Sequence, residues 1–326
     1  MNLDYLQKNF NTQNRCVKHL ERIRWNGEPV CPFCKSTKVY KRKGSITYHC
    51  NKCNKDFTVL YGTIFENTRM PLPKWFMLIA LMLNARKGVS AKQLQRNLNV
   101  TYKTAWYSAM RVRCAMIDQL PLLQDIIEMD ECYIGGKPRI RKRKSEDYTA
   151  YLSRLKIEKP KRGRGTSKIP VVGIVERNGK VVTKVANNLT SKEMLKMLRR
   201  YVKLDEAIVM TDEFRAYKAF DDVVQHLTVD HSKKIYVKGI IHTNTIEGFW
   251  NIVKAGIKGQ YHVVSKKYLP FYLVEFQYKY NHRKDKKTFN DTIQKAIDDG
   301  KCLVYYKPKK NVKRIVYKRK RRKKNA

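Results

Sequence analysis

The sequence predicts an α/β protein built in parts: a small metal-stapled ribbon, a helical segment, and a mixed-sheet α/β domain. Three observations predict it. Cys31, Cys34, Cys50 and Cys53 are spaced C-x2-C-x15-C-x2-C. Capped amphipathic helices follow between Pro73 and Met116, and from Gln124 onward strand patterns alternate with helical ones. At 326 residues the chain is long enough for two or three domains with at least one sizeable core.

Residues 1–28 form a short helical lead-in, with Leu20, Ile23 and Trp25 as packing residues. The ribbon occupies 29–60, where each CxxC turn presents two sulfurs to one Zn²⁺ ion and strands at Val39–Arg42 and Ile46–Cys50 join the turns. Four thiolates fill a tetrahedral zinc shell, so this ion is structural and leaves no position for catalysis. Two unrelated redox CxxC pairs are the alternative. The aromatic and basic residues between the pairs (Tyr40, Lys41, Arg42, Tyr48, His49, Phe57) favour the ribbon.

In the segment 72–118, Pro73 starts a helix carrying Trp75, Leu78, Ile79, Met82 and Leu83 inward, and Gly88 ends it. Ser90 caps a short helix over Ala91–Leu98, and after a turn at Asn99-Val100 Thr101 caps a third. Leu94, Leu98, Val100, Trp106, Ala109 and Met110 make the inner side of a helix-turn-helix. Lys103, Thr104, Tyr107 and Arg111 face outward, where a recognition helix meets DNA.

The domain expected over 124–285 takes strands at Asp125–Ile134, Ile169–Glu176 and Lys180–Ala186, the last two paired across the turn at Asn178-Gly179. A helix over Leu189–Tyr201, a buried strand at Ala207–Thr211, a short helix at Phe214–Phe220 and a strand at Val223–Val229 follow. Residues 137–168 form a densely basic excursion after the first strand. Residues 286–326 end the chain as a basic tail containing KRKRRKK.

Seventy Lys and Arg against twenty-eight Asp and Glu give a formal charge of +42, which points to nucleic acid as partner through its phosphates. A ribosomal or membrane-surface protein would need neither 42% hydrophobic residues nor isolated acidic motifs. No signal peptide is visible, and the longest apolar run, Trp75–Leu83, is far short of the roughly 20 residues that span a bilayer. No membrane partner is expected. Four of the eight cysteines sit in the metal spacing and the others are scattered, which fits a reducing, cytoplasmic setting.

Against this basic background stand three acidic phrases: EMDECYIGG around Asp130, MTDEFRAY around Asp212 and HTNTIEGFW around Glu247. On a strand, Glu128, Asp130 and Cys132 share one face and Glu131 takes the other, so Asp130 and Glu131 are not expected in one site. Asp212 ends an apolar strand, where α/β sheets place ligands, and the adjacent Glu213 diverges. A helix over Thr245–Ile257 puts Ile246, Phe249, Trp250, Val253 and Ile257 on an apolar face, with Trp250 in the core. Glu247, Asn251, Lys254 and Lys258 form a polar stripe at steps of four, three and four, which Asn244 extends. Three carboxylates on separate elements suit two Mg²⁺ or Mn²⁺ ions about 4 Å apart in phosphoryl transfer. The rival reading is three salt-bridge partners for the many cations. His231, His242 and His262 are further candidates, read as surface or core histidines.

Asp130, Asp212 and Glu247, with Lys254 seven residues after the last, resemble the DDE signature of cut-and-paste transposases and retroviral-type integrases. The resemblance is closer to insertion-sequence transposases of the fifteen-ninety-five family (the ISXO-two-like domain). It is carried by MDECYIGGK at 129–137, TDEFRAY at 211–217, HTNTIEGFW at 242–250, GIKGQYHVVSKKYL at 256–269 and YNHR at 280–283. It implies an RNase H-like catalytic domain of the retroviral integrase superfamily, preceded by a zinc ribbon and a helix-turn-helix. Asp130 would lie on the first strand, Asp212 after the fourth and Glu247 on a following helix. Some members carry Asn as third ligand; thirty-four residues between Asp212 and Glu247 favour Glu247, with Asn244 as second candidate or helper.

The implied activity is DNA transposition. The protein would bind the element's terminal repeats, hydrolyse a phosphodiester at each end, and transfer the 3′-hydroxyl strand to target DNA without a nucleotide cofactor. The resemblance also implies double-stranded DNA as partner, a place on the bacterial nucleoid, and, from the pairing of two ends, a homo-oligomer on DNA. Two rivals remain: a zinc-ribbon regulator with an inactive RNase H-like domain, and an RNase H-like nuclease without strand transfer.

Overall fold

The computed structural model describes residues 2–135, 145–157, 166, 168–229 and 241–298. His231, most of the basic excursion at 137–168 and the stretch from 299 to 326 lie outside the described residues. The chain divides into two compact units, Met1–Gln119 with Phe271–Ala326, and Leu120–Pro270.

The first unit opens with α1 (Leu3–Asn9) and α2 (Gln13–Trp25), whose first-turn amides are capped by the side chains of Asn2 and Thr12. The ribbon is a three-stranded antiparallel sheet of β1 (Val39–Lys41), β2 (Thr47–Cys50) and β3 (Lys55–Thr58) in that order. The third strand was not expected, because KDFT is short and half polar. Pairing to β2 forms it, and its Phe57 stacks on Tyr48 across the register with centroids 5.8 Å apart. Trp25 at the end of α2 packs edge-on against both rings. The lead-in helix therefore covers the ribbon's small core.

Next come α3 (Leu72–Asn84), α4 (Ala91–Leu98) and α5 (Tyr102–Ala115). Ser90 and Thr101 cap α4 and α5, each accepting from the amide three residues on. Asn99, between them, adopts the left-handed conformation that closes α4.

The second unit is built on a five-stranded sheet. Its strands are β4 (Leu123–Ile134), β5 (Ile169–Glu176), β6 (Val181–Val185), β7 (Val202–Asp212) and β8 (Gln225–Val229). They lie in the order β6-β5-β4-β7-β8: β6, β5 and β4 run antiparallel in turn, and β4, β7 and β8 run parallel. Helix α6 (Tyr148–Ile157) lies between β4 and β5 in sequence, inside the basic excursion. Helix α7 (Ser191–Tyr201) and a 3-10 helix (Arg215–Phe220) pack with Met129, Val172 and Ile174 into one core. On the opposite face β4 and β5 carry α8 (Asn244–Gly256), which continues as a π-helical turn, Ile257–Tyr261. Ile246, Phe249, Trp250 and Val253 are buried there, as the helical spacing predicts.

The chain then returns to the first unit through α9 (Leu269–Asn281) and α10 (Thr288–Asp298). Tyr278, Phe289, Ile293, Ala296 and Ile297 are buried in one core with Leu20, Phe76, Ile79 and Leu94. The buried Glu275 carboxylate takes Arg113 at 2.8 Å and Lys279 at 2.8 Å. Burial alone would raise Glu275; the two cations outweigh it and hold its carboxyl below the usual range. These units divide the chain differently from the expected segments. The compact unit that holds the sheet ends at Pro270, and the stretch from 286 opens with a packed helix rather than a tail. Phe289, Ile293, Ala296 and Ile297 recur at helical spacing, a signal masked by the lysines and aspartates around them. Among the described residues no helix is long and apolar enough to cross a membrane.

Candidate active site

Two clusters of ligand-type side chains include residues that the sequence singles out. In the ribbon, each CxxC turn is closed by the amide four residues after its first cysteine: Lys35 N–H donates to the Cys31 carbonyl and Asn54 N–H to that of Cys50. Lys35 and Asn54 both sit at positive φ, so the two turns repeat one geometry. Their sulfurs interdigitate, with Cys31 Sγ 3.6 Å from Cys53 Sγ and Cys34 Sγ 3.5 Å from Cys50 Sγ. All four lie within 4.8 Å of one another. Four sulfurs about 2.3 Å from one Zn²⁺ would stand about 3.8 Å apart, so the cluster fits that ion.

The second cluster forms where the carboxyl end of β7 lies beside the second half of β4. One oxygen each from Asp130, Glu131 and Asp212 lies within 4.8 Å of the others. Asp130 and Asp212 meet as anticipated; Glu131 joining them was not. Alternation does send Glu131 toward the α7 face, where one of its carboxylate oxygens accepts from the buried Tyr217 hydroxyl at 3.0 Å. However, the β4–β7 pairing ends at Glu128 and Met210. Beyond that point β4 pairs, among the described strands, with β5 alone, and carboxylates from both of its faces come within reach of Asp212. Asp212 is oriented by its own turn, its Oδ1 accepting from the Phe214 amide at 3.1 Å.

The clustering has an electrostatic cost. Burial, then the charges of Glu131 and Asp212, push Asp130 up to about 7, and Glu247 adds a smaller push. Burial and the same acids raise the Tyr217 hydroxyl well above its ordinary value, so it stays a neutral donor. Bringing together acids that repel in this way is unfavourable without a cation, and oxygen donors of this kind suit Mg²⁺ or Mn²⁺.

Glu247 stands in the first turn of α8, exposed, and accepts from the Thr243 hydroxyl at 2.8 Å. Its field reaches Asp130, but it is not one of the three carboxylates that converge. Asn244, the first residue of α8, is also exposed. Lys254 lies two turns along the same stripe, and its charge is felt at Cys132, whose thiol burial raises to about 11. Of the histidines, His262 meets the Lys258 carbonyl at 3.2 Å. His242 is tied to Arg177, whose Nη2 lies 2.9 Å from the ring Nδ1 and 2.8 Å from the backbone oxygen.

Three further residues shape this face. Glu128, fully buried, accepts from the Thr245 and Ile246 amides at 2.8 and 3.0 Å, from the Thr245 hydroxyl at 2.9 Å, and from Arg177 Nε at 2.6 Å. Gly173 pairs with Asp130 in the register, and a Cβ there would stand 2.5 Å from Trp250 Cζ2 and 2.9 Å from Ile246 Cδ1. The glycine inside PVVGIVE was the one visible hint, since a glycine within a strand marks a close approach.

In the helical segment, Lys103 is exposed, while Thr104 and Tyr107 are half-buried. Arg111 departs from the outward expectation: its Nη1 donates to the carbonyls of Ile64 and Glu66 at 3.0 and 2.9 Å, an internal tie.

Residues 122–281 match the model of the ISXO2-like transposase domain, and residues 11–56 match the transposase zinc-ribbon domain. The latter span includes α2, in keeping with Trp25 in the ribbon core. A protein of Halobacterium salinarum, described as an uncharacterized protein in transposable element ISH50, is 30% identical over 279 residues. The match covers 83% of this chain and 91% of that relative. Among solved structures, a pre-cleavage Mos1 transpososome is 12% identical, covering 69% of this chain and 76% of that one with a TM-score of 0.27. The Mos1 transposase paired-end complex with left transposon end is 12% identical, at 70% and 77% coverage and a TM-score of 0.28. Both likenesses are too loose to add to the family match. From the sheet domain, the ribbon and the curated relative together, the chain belongs to the insertion-sequence transposases that carry the ISXO2-like transposase domain.

Proposed function

We propose that the protein is a DDE-type transposase that binds the ends of its insertion sequence, cuts a phosphodiester at each, and joins the freed 3′-hydroxyl to target DNA. The observation that carries this reading is the convergence of Asp130 and Glu131, in the second half of β4, with Asp212 at the carboxyl end of β7, in a chain of charge +42. A sheet of three antiparallel strands followed by two parallel ones, with α8 across β4 and β5, supports an RNase H-like core.

Asp130 and Asp212 are the proposed ligands of two divalent cations, with Glu247 as the third and Asn244 as its alternative. When bound, Mg²⁺ or Mn²⁺ supplies the Lewis acidity that phosphodiester hydrolysis and 3′-hydroxyl transfer require. The side chains do the rest. The Phe214 amide and the Tyr217 hydroxyl orient Asp212 and Glu131 without adding charge. Lys254 and Lys258, on the Glu247 stripe, meet the phosphate backbone. Joining exchanges one phosphodiester for another, so no nucleotide cofactor is needed.

Cys31, Cys34, Cys50 and Cys53 would hold one structural zinc. Helices α4 and α5 would form the helix-turn-helix that reads terminal repeats, with Lys103, Thr104 and Tyr107 toward the DNA and Arg111 bracing the helix behind them. Pairing two ends calls for a homo-oligomer on DNA.

The test is cleavage and joining of DNA carrying the element's ends in Mg²⁺. Asp130→Asn and Asp212→Asn are each expected to abolish both steps while binding the ends normally. Undiminished cleavage by either variant would overturn the metal assignment. Cleavage by the unaltered protein with no joining of a pre-cut 3′-hydroxyl end would make it a nuclease instead.

A further inference from the structure

The first residues of α8 lack the usual means of satisfying a helix start. Thr243, at the cap position, makes no capping bond to the backbone; its hydroxyl donates instead to the Glu247 side chain. The amides of Thr245 and Ile246 are satisfied from outside the helix, by the Glu128 carboxylate of β4. A negative charge at a helix N-terminus is favoured by the helix dipole as well as by the two hydrogen bonds. The buried charge of Glu128 is in turn met by Arg177, which leaves β5 at its turn and also grips His242 two residues ahead of α8. Arg177 is itself anchored, its own amide donating to the Ile126 carbonyl on β4 at 2.9 Å.

This arrangement couples two parts of the acidic site through one strand. Glu128 and Asp130 are two residues apart on β4, so they share a face and their backbone positions differ by about 7 Å. The strand that presents Asp130 therefore also pins the start of the helix that presents Glu247, one and two residues after the bonded amides. Gly173, beside Asp130 on β5, leaves the space into which Trp250 and Ile246 settle, so the helix is held at its start and along its underside.

We infer that Glu128 and Arg177 are positioning residues that set Glu247 at its distance from Asp130 and so tune the affinity of the acidic site for divalent cations. Neither touches the cation or the DNA; each acts through the first turn of α8. This inference rests on Glu247 being a ligand. Residues that orient metal ligands typically change metal affinity by about 10–100-fold when altered.

The experiment measures Mn²⁺ binding by calorimetry on the full-length, zinc-loaded protein, for Glu128→Gln, Arg177→Lys, Glu247→Gln and the Glu128→Gln/Glu247→Gln pair. Circular dichroism and end-DNA binding serve as fold controls. Glu128→Gln is expected to weaken Mn²⁺ binding about tenfold, and to add little once Glu247 is already Gln, because its effect passes through that residue. Unchanged Mn²⁺ affinity in Glu128→Gln, with a loss in Glu247→Gln, would overturn the inference and leave the ligand assignment standing. An unchanged affinity in Glu247→Gln would overturn the ligand assignment itself, and the inference with it. If Glu128→Gln does not fold, Arg177→Lys decides on the same comparison. It keeps a positive charge but loses the two-pronged grip on Glu128 and His242.

Discussion

The ribbon cysteines and the sheet carboxylates are both clusters of ligand-type side chains, assembled by opposite means. In the ribbon, two turns of like geometry each supply two sulfurs, and the closing amides at Lys35 and Asn54 belong to the same few residues. On the sheet, Asp130 and Glu131 come from β4 and Asp212 from the end of β7, while Glu247, the proposed third ligand, stands on a helix beyond a further strand. A local cluster depends on turn chemistry. A distributed one depends on register, on where a neighbouring strand stops, and on what seats a helix.

Breaking the local cluster should have the largest effect. Cys31→Ser is expected to abolish stoichiometric zinc binding and unfold the ribbon, because binding and folding of such a site are one event. Zinc content by atomic absorption and proteolysis of residues 29–60 would check it; a full zinc complement would contradict the four-thiolate set.

The distributed cluster is sharpened by Glu131→Gln. If Glu131 shares the site beyond the end of the β4–β7 pairing, its loss should slow Mg²⁺-dependent cleavage about 10–100-fold, whereas Glu213→Gln should leave it near wild type. Equal rates for both variants would return Glu131 to a bystander held by Tyr217.

The smallest effect concerns what seats α8. Gly173→Ala would drive a methyl group into the Trp250 ring, and overpacking of this kind costs about 1–3 kcal/mol. Denaturant unfolding of the whole chain should show that loss. An unchanged midpoint would mean that α8 yields without cost.

The same contrast explains what was legible beforehand. Helices α4 and α5 were readable to the residue, because Ser90 and Thr101 announce their starts. The cysteine set needed only spacing. Asp130 and Asp212 stood out as acids beside apolar strand runs in a basic chain. Glu131 was set aside on alternation alone, which says which face a side chain leaves from but not where the neighbouring strand ends. Glu128 and Arg177 had no signal of their own. Each is an ordinary charged residue until β4, β5 and the start of α8 are brought together. Arg111 illustrates the reverse: its position on α5 faced outward by periodicity, yet two carbonyls from the segment between β3 and α3 claim its guanidinium.

The first unit closes with residues from both sides of the sheet domain: Leu20, Phe76 and Leu94 before it, Tyr278, Phe289 and Ile293 after it. During synthesis the ribbon and helices emerge first, and their apolar core stays unfinished while the whole catalytic sheet is being made. A ribosome-stalled chain ending near residue 270 should therefore be cut readily between α3 and α5, and one extended well past Asp298 should resist. Equal resistance at both lengths would show that α9 and α10 add little. The order of translation places the sheet domain ahead of the helical unit, whose core is completed only once α10 has left the ribosome.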